Sequence, residues 1–124
     1  MIDPRVRLPL LQDPLMTAKQ RSRMKSMAGR PAGSLVVHEI YASIQGESTF
    51  AGLPCTFVRL TGCPLRCRWC DTPHSFTEGS PMTINQIVTE VERHSPALVE
   101  VSGGEPLSHA ECDELLRLLA DTGK

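Results

Sequence analysis

The chain has 124 residues, of which 40% are hydrophobic and 22% are charged, and these proportions exclude a disordered chain and a membrane-embedded protein. Its net charge of −1 is uneven, because residues 1–34 carry seven Lys/Arg and two Asp/Glu, whereas the rest of the chain is acidic. We therefore expect no nucleic-acid partner and, since no apolar run suits a membrane span or a secretory signal, no membrane partner and a cytoplasmic location.

The first 34 residues show neither the two-residue period of a strand nor the 3.6-residue period of a helix. Such a segment cannot bury one face against a core. We predict that residues 1–34 form a disordered basic leader. The pattern becomes regular after it, where residues 35–41 and 55–61 are candidate strands joined by a polar, glycine-containing loop.

A helix is predicted to follow Thr83, because Thr83 and Gln86 have the spacing of a capping box. It should end near residues 94–96. Residues 97–101 are then a short buried strand, and a second capped helix is predicted from Ser108 onwards. The apolar stripes of the two helices comprise Ile84, Ile87, Val88 and Val91, and Cys112, Leu115, Leu116 and Leu119.

The order strand, helix, strand, helix predicts parallel βαβ units and an α/β fold. A parallel sheet needs enough strands and helices to bury both of its faces. Residues 35–124 supply only the first βα units of such a sheet. We therefore expect an incomplete domain, whose next strand would begin where the chain ends.

The motif with the clearest chemistry is formed by Cys63, Cys67 and Cys70, three cysteines within eight positions directly after a predicted strand. Five cysteines in all fit disulfide bonds poorly and fit a metal or cluster site in a reducing compartment well. A [4Fe–4S] cluster held by three thiolates keeps one iron free to bind another ligand. The alternative is zinc, with His74 or Cys55 as a fourth ligand.

This motif has an aromatic residue before its last cysteine, and together with residues 102–106 (Ser-Gly-Gly-Glu-Pro) it resembles the radical S-adenosylmethionine (SAM) superfamily. The resemblance implies a partial parallel (β/α) barrel, truncated here to its first βα units, and a [4Fe–4S] cluster on the three cysteines. It also implies that the free iron binds SAM and that a reductant such as flavodoxin or ferredoxin supplies the electron that cleaves it. The SAM-binding residues implied are Trp69, Cys70, Asp71, Gly103, Gly104 and Glu105.

Residues 39–48, 52–54, 57–60 and 70–72 are similar to one family of this superfamily, the 7-carboxy-7-deazaguanine synthases. This resemblance implies a carbon–nitrogen lyase that converts 6-carboxy-5,6,7,8-tetrahydropterin to 7-carboxy-7-deazaguanine in queuosine biosynthesis. It implies Mg²⁺ held by Thr72 and a homodimer at full length, and it assigns no catalytic acid, base or nucleophile. The substrate-binding residues implied are Ile44, Gln45, Gly46, Glu47, Arg59 and Ser102.

The role of Arg59 agrees with its chemistry, since a guanidinium matches a carboxylate and strand alternation points Arg59 away from Val58 and Leu60. Three alternatives stay open. They are an activating enzyme for a glycyl-radical protein, a non-catalytic zinc-binding module and an inactive fragment. A brown colour from iron–sulfur charge transfer would distinguish a cluster protein from a colourless zinc protein.

Overall fold

The computed structural model describes residues 16–124, which form a four-stranded sheet with helices packed against it. The strands are β1 (Ser34–Ile44), β2 (Pro54–Leu60), β3 (Ser80–Thr83) and β4 (Leu98–Gly103), in the spatial order β3-β1-β2-β4. The helices are α1 (Ala18–Arg23), α2 (Ile84–Glu92) and α3 (Cys112–Asp121), and 3₁₀ turns cover Lys25–Met27, Pro73–Phe76 and Pro106–Ser108. None of the helices in the described residues has both the length and the apolar character that crossing a bilayer requires.

The sheet is mixed, which agrees with an α/β fold but corrects the prediction of parallel strands throughout. β2 and β4 are parallel, as a βαβ unit requires, whereas β1 is antiparallel to both β2 and β3. Residues 45–53 join β1 to β2, and this loop is too short for the crossover of a dozen or more residues that parallel strands need. The sequence analysis missed β3 because it has four residues, includes Pro81 and is mostly exposed.

The hydrophobic core lies between one face of the sheet and the helices α2 and α3. Its centre includes Val58 and Leu60 of β2, Val91 of α2 and Leu115 of α3, each with no exposed surface. The predicted apolar stripes of both helices face this core, except that Cys112 is buried outside the cluster and Leu116 is 37% exposed. The alternation of β2 therefore sends its other side chains to the opposite face of the sheet, as predicted.

The two long helices begin differently. In α2 the predicted capping box is present, because Thr83 Oγ1 accepts from the N–H of Gln86 at 3.1 Å and the Gln86 side chain accepts from the N–H of Thr83 at 2.8 Å. The predicted start of the second helix at Ser108 is wrong, since Ser108 belongs to a 3₁₀ turn and α3 begins at Cys112. The Glu105 carboxylate caps the start of that turn, and the extended backbone of His109 at its end separates the turn from the helix.

The segment before β1 differs from the predicted disordered leader over the part that the structure describes. Residues 16–34 contain α1 and a 3₁₀ turn, and Met24 and Met27 are buried against Val36, with 0% and 1% exposed. A six-residue helix is too short to show a sustained period, which explains why the sequence pattern missed it. Residues 1–15 of the predicted leader lie outside the described residues.

Two arginines of this segment contact the rest of the domain. Arg30 donates from Nη2 to both oxygens of the Glu111 carboxylate, with N···O distances of 2.9 and 3.0 Å. Arg23 donates from Nη1 to the carbonyl oxygen of Pro64 at 2.8 Å. The segment is thus fastened both to the start of α3 and to the loop that carries the cysteines.

A β-bulge at His38 decides which side chains of β1 face the core. One residue more than regular pairing requires lies between Val37 and Glu39, and Glu39 pairs with Arg59. Because of the extra residue, Val37 and Ile40 both pack against the core, although they are three positions apart. A bulge changes the direction of the following side chains in this way, and here it puts Glu39 on the face opposite the core.

Candidate functional site

The three cysteines lie on the loop after β2, and they open onto one cavity of about 220 Å³. Cys63 is 7% exposed, Cys70 is half-buried and Cys67 is exposed. The end of β4 forms the opposite wall. The lining residues are Cys63, Leu65, Cys67, Trp69, Cys70, Asp71, Thr72, Phe76, Gly103, Gly104 and Glu105. The structure therefore brings all the residues predicted to hold the cluster, the magnesium ion and SAM to one cavity.

Two glycines let the end of β4 touch the cysteine loop. A Cβ on Gly104 would lie 2.2 Å from the carbonyl oxygen of Gly62 and 3.1 Å from the Cβ of Cys63. A Cβ on Gly103 would lie 2.2 Å from the carbonyl oxygen of Leu60. The N–H of Glu105 donates to the same Gly62 carbonyl oxygen at 3.0 Å. Neither position has room for a side chain, so both glycines are needed for this close approach.

The environment of Cys63 combines burial with a fixed positive charge. Burial raises the pKa of the Cys63 thiol, while a backbone hydrogen bond from Leu65 and the charge of Arg66 partly offset the effect. A buried thiol of this kind must lose its proton to bind iron. Arg66 donates to the Cys63 carbonyl oxygen at 2.6 Å and lies 3.8 Å above the ring centre of Phe76. Sulfur ligands beside a held cation suit an anionic iron–sulfur cluster.

The cysteines do not form a single-ion site. Within residues 16–124, the group of three side chains whose ligand atoms lie close enough for one ion consists of His38, Glu39 and His74, and it contains no cysteine. In a cubane cluster each thiolate binds a different iron, so the sulfurs stand farther apart than the ligands of one ion. Three thiolates on one loop are a donor set that fits a [4Fe–4S] cluster.

A second cavity, of about 300 Å³, adjoins the first and shares Asp71, Thr72 and Gly103 with it. It lies on the sheet face opposite the core. The lining residues are Gln45, Gly46, Glu47, Phe57, Arg59, Asp71, Thr72, Glu100, Ser102 and Gly103. Five of the six predicted substrate-binding residues are among them. The exception is Ile44, whose side chain is 58% exposed at the end of β1.

Phe57 and Glu100 line the second cavity, although the sequence analysis did not identify them. They are paired residues on the neighbouring strands β2 and β4. Val99 and Val101 pack against the core, so the alternation of β4 points Glu100 to the opposite face, together with Ser102. The alternation of apolar and polar residues in β4 could therefore have identified Glu100 from the sequence. Glu100 adds a second carboxylate to the cavity, beside that of Glu47.

Arg59 is oriented in the second cavity by two side chains of β1. Its Nε donates to Glu39 at 2.8 Å and its Nη2 donates to the Tyr41 hydroxyl at 3.0 Å. The Tyr41 ring in turn stacks on Phe57, with ring centres 5.2 Å apart. Burial alone would lower the pKa of Arg59, but the hydrogen bonds to Glu39 and Tyr41 outweigh burial and raise that pKa. The guanidinium has five N–H donors in all, so it keeps donors for an anion.

Backbone bonds fold the loop that carries Gln45. The Gln45 N–H donates to Leu53 at 2.8 Å, and the Gly52 N–H donates back to the Gln45 carbonyl oxygen at 2.7 Å. The side-chain oxygen of Gln45 accepts from the N–H of Glu47 at 3.1 Å. Gln45 is consequently only 6% exposed. These hydrogen bonds fix the loop, which presents the amide of Gln45 and the carboxylate of Glu47 to the cavity.

The remaining predicted residues are placed in different ways. Trp69 lines the first cavity but is 83% exposed. Thr72 lies where the two cavities meet, with its hydroxyl oxygen 4.0 Å from the sulfur of Cys70. One oxygen of Glu105 accepts from the N–H of Leu107 at 3.0 Å, so this carboxylate caps a turn as well as lining the cavity.

Comparison with known proteins shows which family the chain matches and which curated proteins are similar to it. Residues 57–123 match the Radical SAM superfamily. The chain is 53% identical over 72 residues to the 7-carboxy-7-deazaguanine synthase of Koribacter versatilis, covering 57% of this chain and 32% of that protein. It is 49% identical over 87 residues to the synthase of Chlorobaculum tepidum (70% and 40%). It is 37% identical over 123 residues to that of Methanospirillum hungatei (94% and 53%).

The fold is also similar to a solved structure. The crystal structure of QueE from Escherichia coli superposes with a TM-score of 0.60 and 27% sequence identity, covering 73% of this chain and 49% of that one. The chain thus spans 32% to 53% of the length of the three curated relatives described above.

Proposed function

Since the chain belongs to the radical SAM superfamily, we propose that it carries the cluster site and part of the substrate site of a 7-carboxy-7-deazaguanine synthase. This enzyme is a carbon–nitrogen lyase that converts 6-carboxy-5,6,7,8-tetrahydropterin to 7-carboxy-7-deazaguanine. The observation that carries the proposal is the pair of adjoining cavities, one lined by three cysteines and the other by Arg59. When bound, the cluster and SAM supply one-electron chemistry that removes a hydrogen atom from the substrate.

In this proposal the first cavity binds the cofactors. Cys63, Cys67 and Cys70 hold the cluster, and the backbone of Gly103 and Gly104 forms the wall against which SAM lies. Both glycines line this cavity, and residues without a Cβ let a ligand such as SAM approach their backbone closely. The position of this wall, at the C-terminal end of β4, is where α/β folds generally bind ligands.

The second cavity binds the pterin in this proposal. Arg59 holds the substrate carboxylate with the N–H donors that Glu39 and Tyr41 do not use. The pterin ring carries a row of donors and acceptors, which the Gln45 amide and the carboxylates of Glu47 and Glu100 can match. Ser102 adds a hydroxyl to the same wall. A cavity with one cation and several acceptors is complementary to a carboxylated, amino-substituted ring.

The boundary between the cavities is where magnesium would bind. Thr72 offers a hydroxyl and Asp71 a carboxylate at this boundary. Mg²⁺ takes oxygen ligands and commonly keeps several waters, so it needs few protein contacts. Substrate oxygens and water would complete its shell. The ion would then orient the substrate toward the first cavity.

We propose further that the sheet belongs to a partial parallel (β/α) barrel. β2 and β4 supply a parallel pair, and an apolar cavity of about 200 Å³ borders β4 and α3, which suits the packing of a further strand. Flavodoxin or ferredoxin as reductant and a homodimer at full length complete the proposal. The second cavity supports a small-molecule substrate over the protein substrate of an activating enzyme.

The test is anaerobic reconstitution with iron and sulfide, followed by iron analysis and electron paramagnetic resonance with and without SAM. We expect about four irons per chain and a reduced-cluster signal that SAM shifts. Cys67→Ala should lose most of the iron. Cys112→Ala is the matched control, because Cys112 is buried and is not among the residues that line the cavity, and burial raises its pKa to about 11.

The outcomes separate the alternatives. Zinc without iron would establish the zinc-binding module, and a cluster indifferent to SAM would indicate an inactive fragment. A cluster that responds to SAM but not to the carboxylated tetrahydropterin would contradict the proposed substrate. In that case an activating enzyme for a glycyl-radical protein becomes the better hypothesis.

A further inference from the structure

We propose that His38, Glu39 and His74 form a binding site for a divalent transition-metal ion, separate from the cysteine loop. One ligand atom of each side chain lies within 4.8 Å of the others. None of the three is among the residues that line the cluster cavity or the substrate cavity. The function proposed above gives Glu39 a role as the partner of Arg59, but it does not explain why two imidazoles meet that carboxylate here.

A β-bulge and a 3₁₀ turn bring the three side chains together, which a regular β1 strand would not do. Successive residues of a strand point to opposite faces, but the bulge at His38 lets His38 and Glu39 approach the same point. His74 comes from the 3₁₀ turn after the cysteine loop. That turn is fastened to the end of β2, because the N–H of Gly62 donates to the carbonyl oxygen of Ser75 at 2.8 Å. The two sides of the site thus belong to bonded parts of the fold.

The His38 ring is oriented by a backbone carbonyl. Its Nδ1 lies 2.9 Å from the carbonyl oxygen of Glu78, and the same oxygen accepts from the hydroxyl of Thr61. The tautomer that donates from Nδ1 leaves the lone pair on Nε2 for a metal ion. Metal-binding histidines usually have such a carbonyl or carboxylate partner on their other nitrogen. The rings of His38 and His74 are 4.8 Å apart and tilted by 44°.

Glu39 supplies the negative charge. Its Oε1 accepts from Arg59, and the contacts found in residues 16–124 leave Oε2 for a cation. Two imidazoles and one carboxylate are a ligand set for Zn²⁺ and for Co²⁺, Ni²⁺ or Fe²⁺, whereas Mg²⁺ and Ca²⁺ take oxygen ligands. The chemistry therefore selects a borderline transition-metal ion.

Binding requires a small inward movement of the side chains. Metal–ligand bonds of about 2.0–2.2 Å put tetrahedral ligands about 3.4 Å apart, against the 4.8 Å span of the three atoms here. Glu39 and His74 are exposed and His38 is only half-buried, so rotation about their side-chain bonds can close that gap. Exposure also leaves the remaining coordination positions open to water or to an outside ligand.

The test must keep the loop cysteines from taking up the metal. Co²⁺ is therefore titrated anaerobically into the full chain carrying C63S, C67S and C70S. We expect one equivalent to bind with visible d–d absorption and without thiolate-to-cobalt charge transfer. His38→Ala and His74→Ala should each weaken binding by at least about 10-fold. His94→Ala is the matched control, because His94 lies at the end of α2 beside Glu90, and it should leave the affinity unchanged.

A second measurement covers the case in which the cysteine variant does not fold, as judged by circular dichroism. Protein with intact cysteines is reconstituted with iron and dialysed against Zn²⁺. Metal analysis should then find one zinc per chain in addition to the iron, and His38→Ala should lose it. Absence of saturable binding in the folded protein, or binding that survives both histidine substitutions, would overturn the proposal.

Discussion

A methyl group at position 104 should separate β4 from the cysteine loop. In Gly104→Ala the new Cβ would lie 2.2 Å from the oxygen of Gly62, whereas Cβ contacts under 3.0 Å essentially never occur. The backbone would have to move by about 0.8 Å, the difference between these distances. Overpacking of this kind costs about 1–3 kcal/mol, and loss of the bond from the Glu105 N–H to Gly62 adds about 1 kcal/mol. We expect a loss of about 2–4 kcal/mol in the free energy of unfolding.

Urea unfolding of the cluster-free protein measures that loss, and the iron content after reconstitution shows whether the loop still holds the cluster. Gly46→Ala is the matched control, since nothing lies within 4 Å of its added Cβ and its backbone is not in the left-handed region. The control should change stability by less than about 0.5 kcal/mol. If Gly104→Ala were equally stable and bound iron equally well, the close approach of strand and loop would not be a constraint.

Three other perturbations probe the substrate cavity, the core and a buried histidine. Arg59→Ala should spare SAM cleavage and weaken binding of the carboxylated tetrahydropterin by about 2–5 kcal/mol, which titration of the substrate measures; the opposite pattern would refute the role of Arg59. Leu115→Ala should lower the free energy of unfolding by about 2–5 kcal/mol, and Leu116→Ala, at a position 37% exposed, should lower it much less; equal losses would contradict the packing of α3. Burial lowers the pKa of His109 from 6.5 to about 4, so the unfolded chain takes up a proton first and stability should fall by about 3 kcal/mol as the pH drops from 6.5 to 4. Urea midpoints across that range test this prediction, and the His109→Gln variant should lose that part of the slope; an unchanged slope would mean that His109 is not the group responsible.

The elements that the sequence predicted well are those whose signals are local. The Thr83–Gln86 capping box is complete within four residues, so the start of α2 could be placed. The placement of Arg59 between two buried residues likewise predicted its face of the sheet. The burial of Met24 and Met27 could not be predicted, because they pack against Val36 and beside Gly62, contacts that depend on how the chain folds back.

The residues of the candidate site also differ in how well the sequence predicted them. The cysteine spacing and the glycine pair are short motifs, and the structure brings both to one cavity. Glu100 was missed because its alternation with Val99 and Val101 was taken only as a sign of a buried strand. Ile44 stays a prediction from the resemblance, and at the end of β1 it is 58% exposed. Resemblance transfers a segment as a whole, whereas the pleat of the strand separates its members.

Because of the bulge at His38, odd-numbered residues of β1 such as Val37 face the core before the bulge, and even-numbered residues such as Ile40 face it afterwards. A design or sequence comparison that assumed a uniform two-residue period from Leu35 onwards would place Glu39 and Tyr41 in the core and Ile40 in the open cavity. Deleting the extra residue at position 38 would leave Val37 and Ile40 two positions apart, so a strand without the bulge keeps the same faces only if it is one residue shorter. The spacing of the strand is therefore as constrained as its composition, and an alignment gap at this point would have structural meaning.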